Sequence, residues 1–346
     1  MDKTDHFLED TMKQFKLLAI LVPLLVVTAC HVHTVFDHGQ SGQGIHSEVT
    51  HSLSPKAVPD RYRFEPIHDL TLQADSAILI NAGSGEVLYE KNSNESKGVA
   101  SMSKIMSELL VLEAIDAGTL DWNDSVAISD YAYKISHQPG LSSIELQQDQ
   151  SYSVQELFHA MAVTSANGAT IALAEKVAGS EKEFIMLMNE KAEKIELHDA
   201  NFVNSTGLTN HDLQGYHSAG TINDYNEMSA KDLATLTRSI IQQYPDLLEV
   251  TKLTEFTVQK EAYNSSNWML PGTEKNFLNI DVTFPGVDGL KTGYTSDAGY
   301  GFTGTVQIDG SRFISVVIGA EEIGDRFVET GKLYDAILEQ LKEKES

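Results

Sequence analysis

Residues 101–117 read Ser-Met-Ser-Lys-Ile-Met-Ser-Glu-Leu-Leu-Val-Leu-Glu-Ala-Ile-Asp-Ala. Apolar side chains recur every three or four positions in this stretch, and Gly118 follows it. The spacing predicts an amphipathic helix that begins near Ser101 and ends before the glycine. Because residues three apart share one face of a helix, we expect Ser101 and Lys104 to stand side by side.

Strand patterns lie on both sides of this helix in the sequence. Residues 77–80 and 87–89 are apolar and flank an Ala-Gly-Ser-Gly turn, which predicts a hairpin. Beyond the helix come helical patterns at 153–163, 168–178, 181–197 and 229–243, strand patterns at 251–258, 301–308 and 313–318, and a final helix at 326–341. This order predicts one α+β domain, an antiparallel sheet built from both ends of the chain and flanked by helices, with an all-helical section inserted.

The pair Ser101 and Lys104 has the residue types of an activated nucleophile. A serine hydroxyl attacks weakly until a base takes its proton, and an adjacent neutral lysine can be that base. A free lysine has a pKa of about 10.4, so burial or neighbouring cations must lower that pKa first. A serine that caps a helix, followed by an ordinary lysine, would look the same in sequence.

Two further motifs combine hydroxyl, amide and amine groups. Ser165 and Asn167 flank an alanine at the break between two predicted helices, where they could relay a proton and hold a substrate, or only cap the next helix. Lys291 and Thr292 precede a predicted strand pair and could bind a carboxylate at a sheet edge. Gly293 would let a substrate backbone lie close to that strand. Each motif alone is weakly specific.

Together the motifs occur in the order Ser-x-x-Lys, Ser-x-Asn, Lys-Thr-Gly, the set found in penicillin-binding proteins and class A β-lactamases. Three longer stretches extend the likeness: Ala-Ser-Met-Ser-Lys-Ile-Met at 100–106, Asn-Phe-Val-Asn-Ser-Thr-Gly-Leu at 201–208 and Phe-Pro-Gly-Val-Asp-Gly-Leu-Lys-Thr-Gly-Tyr-Thr at 284–295. They resemble the serine-type D-alanyl-D-alanine carboxypeptidases, the low-molecular-mass penicillin-binding proteins. The resemblance covers about residues 70 to 342.

The resemblance implies a penicillin-binding protein/β-lactamase-like (serine transpeptidase-like) fold that cleaves the terminal D-alanine from peptidoglycan stem peptides and is acylated by β-lactam antibiotics. It makes Ser101 the nucleophile and Lys104 its base. Ser165 would shuttle a proton, and Asn167 would position the substrate and Lys104. This mechanism needs no metal and no organic cofactor.

The same resemblance implies a binding strand for the end of the substrate. Lys291 and Thr292 would meet the terminal carboxylate beside Gly293, and Arg326 matches a family arginine near that carboxylate. The backbone N–H groups of Ser101 and Tyr294 would form the oxyanion hole.

The chain departs from the family pattern at three positions near these motifs. Val99 stands where proline is frequent, Ser103 replaces a threonine, and Gly168 follows Asn167 where aspartate is usual. The glycine at position 168 bears on the local geometry of the loop that contains Ser165 and Asn167.

Three alternative functions share these residues. A class A β-lactamase would need a Glu-x-x-Leu-Asn run after Asn167, which the sequence lacks; residues 181–189 read as an ordinary helix. A D,D-endopeptidase would differ only in how open the cleft is. A non-catalytic cell-wall binding lipoprotein would not need both Ser101 and Lys104.

The amino terminus has the pattern of an export signal. Residues 17–29 are apolar except for one threonine, follow Lys13 and Lys16, and are too few to span a bilayer. The run Val-Thr-Ala-Cys that ends at Cys30 resembles a bacterial lipobox, which implies acylation of Cys30 and attachment to the extracytoplasmic face of the cell membrane. In the alternative interpretation, an ordinary signal peptide or apolar anchor, Cys30 is incidental.

We therefore expect a signal peptide at residues 1–29 with a possible true start at Met12, a flexible tether at 30–65, and a catalytic domain at 66–346 without a carboxy-terminal β domain. The tether is rich in serine, glycine and histidine. We interpret its histidines as part of a solvated linker rather than a metal site, because no folded frame fixes them; they are His31, His33, His38, His46 and His51.

Composition narrows the classes of partner. The 346 residues include 50 acidic and 25 basic side chains, a net charge of −25, so we expect no nucleic-acid partner. Apolar residues make up 41%, enough for a sizeable core. The single cysteine excludes an internal disulfide and a cysteine-rich zinc site.

Overall fold

The computed structural model describes residues 62–273 and 276–345 of the chain. The strands are β1 (Ser76–Asn81), β2 (Val87–Lys91), β3 (Lys97–Gly98), β4 (Ser125–Val126), β5 (Tyr152–Ser153), β6 (Glu227–Met228), β7 (Glu255–Val258), β8 (Glu261–Asn264), β9 (Val287–Thr295), β10 (Gly299–Ile308) and β11 (Ser311–Ala320). The helices are α1 (Lys104–Asp116), α2 (Asp130–Ser136), α3 (Val154–Thr164), α4 (Asn167–Ala178), α5 (Glu181–Lys194), α6 (Ala230–Gln243), α7 (Leu247–Thr251) and α8 (Asp325–Glu345). A 3₁₀ turn at Ala100–Ser103 leads directly into α1.

The main sheet has five strands in the order β2-β1-β11-β10-β9, and every neighbouring pair is antiparallel. β1 and β2 precede the helices α1 to α7 in the chain, whereas β9, β10 and β11 follow them. The predicted α+β fold, with a sheet built from both ends of the chain and a helical section inserted, is confirmed.

The sheet separates two apolar clusters because side chains alternate along its strands. On β1, Ile78 and Ile80 join the cluster formed with helices α1, α3, α4 and α6, while Ala77 and Leu79 join the cluster that contains the apolar face of α8. All four side chains are at most 5% exposed. The sheet is thus covered on both faces, which fixes its position against α1.

Two predicted helix boundaries differ from the structure for reasons that the backbone shows. The helix predicted from Ser101 starts as a 3₁₀ turn, and its α-helical part begins at Lys104. The helix predicted at 181–197 ends at Lys194, because Glu196 adopts a positive φ of 59° that an α-helix does not allow.

The prediction of a strand at 251–258 is partly wrong. Thr251 ends α7, and the strand begins only at Glu255. The Thr251 hydroxyl donates a 2.7 Å hydrogen bond to the Asp288 carbonyl on β9. This tertiary contact holds the threonine in a helix although its branched side chain favours strands.

The short helix α2 was not predicted, although it has a recognisable start. Its N-cap Ser129 accepts a hydrogen bond from the N–H of Ala132, and Asp130 stands in the first turn. Among the described residues, no helix combines the length and apolar composition that crossing a membrane requires.

Candidate active site

Ser101 and Lys104 lie side by side where the 3₁₀ turn becomes α1. The Nζ of Lys104 is 2.9 Å from the Oγ of Ser101. The lysine is 0% exposed, whereas the serine is only partly buried. The structure therefore brings the predicted nucleophile and base together, with the hydroxyl on the side that a substrate can reach.

Lys104 makes two further hydrogen bonds, both to carbonyl oxygens. Its Nζ lies 2.7 Å from Asn167 Oδ1 and 2.6 Å from the backbone oxygen of Thr206. Carbonyl oxygens only accept hydrogen bonds, so two N–H groups of the amine point at them. In a neutral amine the remaining lone pair then points at the Ser101 hydroxyl, which is the geometry of a general base.

Electrostatics favour the neutral form of Lys104. Burial in the protein interior and the nearby charge of Lys291 lower the pKa of Lys104 well below its usual value, against an opposing effect of Glu108. The structure thus supplies both conditions that the sequence analysis required, burial and a neighbouring cation.

A rigid loop presents the Thr206 carbonyl. Asn204 Oδ1 accepts hydrogen bonds from the N–H of Thr206 and of Gly207, at 3.1 and 2.7 Å. Gly207 has a φ of +80°, and a Cβ there would lie 2.0 Å from the oxygen of Ala100. Only glycine lets this loop approach the start of the 3₁₀ turn so closely.

Thr206 is a residue that the sequence analysis did not assign to the site. It falls in the family-like run 201–208, so the resemblance marked the segment without giving it a role. Its contribution is a backbone oxygen, which no side-chain pattern reveals.

Ser165, the residue directly after α3, has a strained backbone conformation. Its φ and ψ are +64° and +28°, the left-handed region that residues other than glycine rarely adopt. Its Oγ is buried and has no hydrogen-bond partner among the described residues. Strain of this kind costs about 1–3 kcal/mol and is concentrated at functional sites.

Asn167 begins α4 and is held from both sides. Its backbone N–H and its Nδ2 both donate to the carbonyl of Ser142, at 3.0 and 3.1 Å, which leaves Oδ1 free to accept from Lys104. The packing around Gly168 explains why glycine stands where aspartate is usual. A Cβ at this position would lie 2.6 Å from the Cβ of Ser136 in α2. Close packing of α2 on α4 therefore leaves no room for a side chain.

The Lys-Thr-Gly segment lies in β9, an edge strand of the main sheet that packs against the 3₁₀ turn. Lys291 is 1% exposed, and its Nζ donates a 3.2 Å hydrogen bond to the Thr292 carbonyl. Burial and the charge of Arg326 lower the pKa of Lys291 to about 8, against an opposing effect of Glu108.

The Thr292 hydroxyl has a partner that the sequence analysis missed. Ser266 Oγ lies 2.8 Å from Thr292 Oγ1, and the N–H of Ser266 donates to the carbonyl of Val163 near the end of α3. Ser266 therefore links β9 to the segment that carries Ser165. No motif in the sequence pointed to it.

Gly293 has a packing role of its own. A Cβ on Gly293 would lie 2.8 Å from the carbonyl oxygen of Val99 and 3.2 Å from the N of Met102. The glycine thus lets the 3₁₀ turn pack against β9, a reason for its presence besides the predicted approach of a substrate. Tyr294, the next residue, is 52% exposed, and its ring stacks on that of Tyr300 at 4.1 Å.

Arg326 lies in the first turn of α8 and reaches the same strand. Its Nη1 donates a 3.0 Å hydrogen bond to the carbonyl of Gly293, and its guanidinium group lies 5.4 Å from the ring centroid of Tyr300. It is 6% exposed, and burial lowers its pKa to about 10, so it remains cationic at neutral pH. The structure therefore places two cations, Lys291 and Arg326, beside one stretch of β9.

Two predicted features, Cys30 and the histidines of the proposed tether, fall outside the residues that the structure describes. Within residues 62–273 and 276–345, no group of three or more histidine, cysteine or acidic side chains has a metal-binding arrangement.

Comparisons with known proteins show which family the chain is similar to. The family described as D-alanyl-D-alanine carboxypeptidase (Peptidase S11) matches residues 64–322. The D-alanyl-D-alanine carboxypeptidase DacF of Bacillus subtilis is 36% identical over 277 residues, which are 79% of this chain and 64% of that protein. DacC of Escherichia coli is 33% identical over 265 residues, 76% of this chain and 60% of that protein.

Solved structures show the same fold. The penicillin-binding protein PBP3 of Streptococcus pneumoniae, described as a peptidoglycan synthesis regulatory factor, superposes with a TM-score of 0.73 and 38% identity over 78% of this chain and 74% of that one. Penicillin-binding protein D2 of Listeria monocytogenes, in its cefotaxime-bound form, superposes with a TM-score of 0.66 and 31% identity. The match covers 78% of this chain and 99% of that one. The predicted penicillin-binding-protein fold is confirmed.

The chain belongs to the D-alanyl-D-alanine carboxypeptidase family. It spans less than two thirds of the length of these two curated relatives, 64% of DacF and 60% of DacC.

Proposed function

We propose that this protein is a serine D-alanyl-D-alanine carboxypeptidase that removes the terminal D-alanine from peptidoglycan stem peptides and is acylated by penicillins. The observation that carries the proposal is the hydrogen-bonding of Lys104: two carbonyl oxygens take its N–H groups, and the Ser101 hydroxyl is 2.9 Å away. Family membership and the antibiotic-bound relative support the same conclusion.

The first half of the reaction forms an ester. Ser101 Oγ attacks the carbonyl carbon of the penultimate D-alanine while its proton passes to Lys104 Nζ. The C–N bond then breaks, and the proton that Lys104 took from Ser101 passes through the Ser165 hydroxyl to the leaving amine of D-alanine, which leaves Lys104 neutral again; this buried hydroxyl has no hydrogen-bond partner among the described residues. Backbone N–H groups of Ser101 and Tyr294 would stabilise the oxyanion.

The second half returns the enzyme to its starting state. Water attacks the ester, its proton goes to Lys104, and Ser101 leaves with a proton, so no net proton is gained or lost by the protein. Lys291, Thr292 and Arg326 would hold the free carboxylate that defines a carboxypeptidase substrate.

Mass spectrometry of the intact protein after treatment with benzylpenicillin tests this proposal. We expect a mass increase of one penicillin, located by peptide mapping on Ser101, and none in Ser101→Ala. Ser296→Ala, which changes an exposed serine in the turn after β9, is the matched control and should label normally. Labelling of Ser101→Ala would refute the assignment of the nucleophile.

The lifetime of the adduct distinguishes this function from a β-lactamase. A carboxypeptidase should keep the penicillin for many turnovers of its peptide substrate, whereas a β-lactamase should release it rapidly. Release of free D-alanine from a soluble peptide ending in D-Ala-D-Ala, and its loss in Ser101→Ala, would establish the peptidase activity directly.

We also propose that Cys30 carries a lipid that anchors the protein to the extracytoplasmic face of the membrane. The support is the apolar stretch at 17–29 followed by the lipobox-like run that ends at Cys30. Two or three acyl chains, at about 0.8 kcal/mol per buried methylene, would hold a protein stably on a bilayer.

Membrane fractionation after expression in a bacterium tests the anchor. Cys30→Ser should move the protein to the soluble fraction, while Thr34→Ser, a conservative change four residues on, should leave it with the membranes. Persistent membrane attachment of Cys30→Ser would show that the anchor lies elsewhere.

A further inference from the structure

Glu108 is a buried carboxyl group for which the proposed reaction has given no role. It lies in α1 one turn beyond Lys104 and two turns beyond Ser101, so the three residues share one side of the helix. It is 0% exposed, and neither carboxyl oxygen has a hydrogen-bond partner among the described residues. Burying a carboxyl group without such partners costs several kcal/mol, so a purely structural role would be better served by an apolar side chain.

A second buried glutamate shows how a structural carboxyl group is held in this protein. Glu181, 3% exposed at the start of α5, accepts hydrogen bonds at its Oε1 from both the N–H and the hydroxyl of Ser205, although its Oε2 has no hydrogen-bond partner among the described residues. Glu108 has no comparable donors. Its stabilisation must come from charges at longer range.

Those charges belong to the two buried lysines of the site. Lys291, on β9, and Lys104, on its own helix, both act on the carboxyl group of Glu108, and it acts on both amines in return. Burial outweighs the two lysines and raises the pKa of Glu108 to about 7, so the carboxylate form predominates above that pH. The acidic groups on the helices packed against α1 have partners of their own or are exposed. Glu156 of α3 bonds to Ser153, Glu175 of α4 to Ser129, Glu181 of α5 to Ser205 and Asp232 of α6 to the backbone of Asp199. The remaining acids of α5, Glu183, Glu190 and Glu193, are exposed.

We propose that Glu108 is a positioning residue whose carboxylate is the counter-charge of the two buried lysines. It keeps Lys291 cationic for the substrate carboxylate while Lys104 is neutral, and it stabilises the positive charge that Lys104 gains from the Ser101 proton. Glu108 itself exchanges no proton in this step: the O–H bond of Ser101 breaks, and the new N–H bond forms on Lys104. The inference rests on the proposed function and adds a residue to it.

Two variants separate charge from shape. Glu108→Gln keeps the size and removes the charge, and Glu108→Met fills the same space with an apolar chain. Glu113→Gln, five residues further along the same helix in a partly buried ion pair with Lys191, is the matched control. Each protein is assayed for thermal unfolding and for the rate of penicillin acylation as a function of pH.

The expected result is a loss of rate without a loss of fold. Glu108→Met should unfold at the same temperature as the wild type or higher, yet both Glu108 variants should be acylated at least about tenfold more slowly at pH 7. The alkaline limb of the pH profile, which we attribute to Lys291, should move down by about one pH unit because the amine loses its counter-charge. Glu113→Gln should retain the wild-type profile.

A second measurement does not depend on the reaction. The wild type and Glu108→Gln, labelled with ¹³C at the lysine ε-carbons, are titrated without substrate, and Lys291→Arg assigns the signal. A lower pKa of Lys291 in Glu108→Gln supports the inference even if the wild type should fail to react with penicillin, an outcome that would refute only the proposed function. An unchanged lysine titration, or slower acylation with an unchanged pH profile, would overturn the role of Glu108.

Discussion

The Nζ of Lys104 lies 2.7 Å from Oδ1 of Asn167, although 63 residues separate them in the chain. This contact joins the start of α1 to the start of α4 and directs one N–H of the amine away from Ser101. Because Ser142 fixes both nitrogens of Asn167, the amide oxygen has one direction in which to accept.

Asn167→Asp tests this orientation. The carboxylate would keep an acceptor near Lys104 but would raise the pKa of the amine by adding an opposite charge beside it. We expect acylation by penicillin to slow by about 10²-fold or more at pH 7 and its optimum to move to higher pH. A variant with the wild-type rate and optimum would show that Asn167 does not control the protonation of Lys104.

Ser165→Gly should stabilise the protein and inactivate it. Glycine relieves the left-handed strain at φ +64°, and the lost hydroxyl has no described hydrogen-bond partner, so we expect about 1 kcal/mol of added stability in urea unfolding. Acylation should fall by about 10²- to 10⁴-fold if the hydroxyl relays the proton. Ser165→Ala, which keeps the strain, should be equally inactive without the gain; an active Ser165→Gly would remove this serine from the mechanism.

Gly207→Ala should disrupt the loop that presents the Thr206 carbonyl. The added Cβ would lie 2.0 Å from the oxygen of Ala100, a backbone atom that cannot rotate away. We expect a loss of about 2–4 kcal/mol in the free energy of unfolding, together with slower acylation. Gly118→Ala is the control, since its φ is also positive, +68°, but nothing lies within 4 Å of the new Cβ. Equal losses in both variants would mean that backbone strain, and not the contact with Ala100, explains the effect.

The pH profile of acylation should fall on its alkaline side near the pKa of Lys291. Burial and Arg326 lower that pKa to about 8, so the positive charge is present below this pH and lost as pH rises through it. Lys291→Arg should lower the maximal rate, because the geometry changes, but move the alkaline limb upward, since a guanidinium group stays charged. An alkaline limb that remains near pH 8 in Lys291→Arg would assign it to another group.

The sequence predicted those parts of the site that depend on local spacing. Ser101 and Lys104 are one turn apart, and their proximity follows from helix geometry alone. A sheet built from both ends of the chain also follows from the pattern, because apolar strands need a shared sheet to bury their faces; that β1 pairs with β11 is seen only in the structure.

Other parts of the site depend on contacts that no pattern encodes. The Thr206 oxygen belongs to the backbone and reaches Lys104 across 102 residues. Glu108 is of a residue type that is almost never fully buried, and only the packed structure shows that it is buried here. Thr251 has the propensity of a strand residue, but its hydrogen bond to Asp288 keeps it in α7.

Direct titration of Lys104 tests the central claim, that the base beside Ser101 is uncharged before the reaction. The ¹³C signal of its ε-carbon, assigned with Lys104→Arg, should follow a pKa well below the value of 10.5 that an exposed lysine shows, because burial and Lys291 both disfavour the cation. A signal that titrates at or above 10.5 would mean a protonated amine at neutral pH and would contradict the proposed role of Lys104.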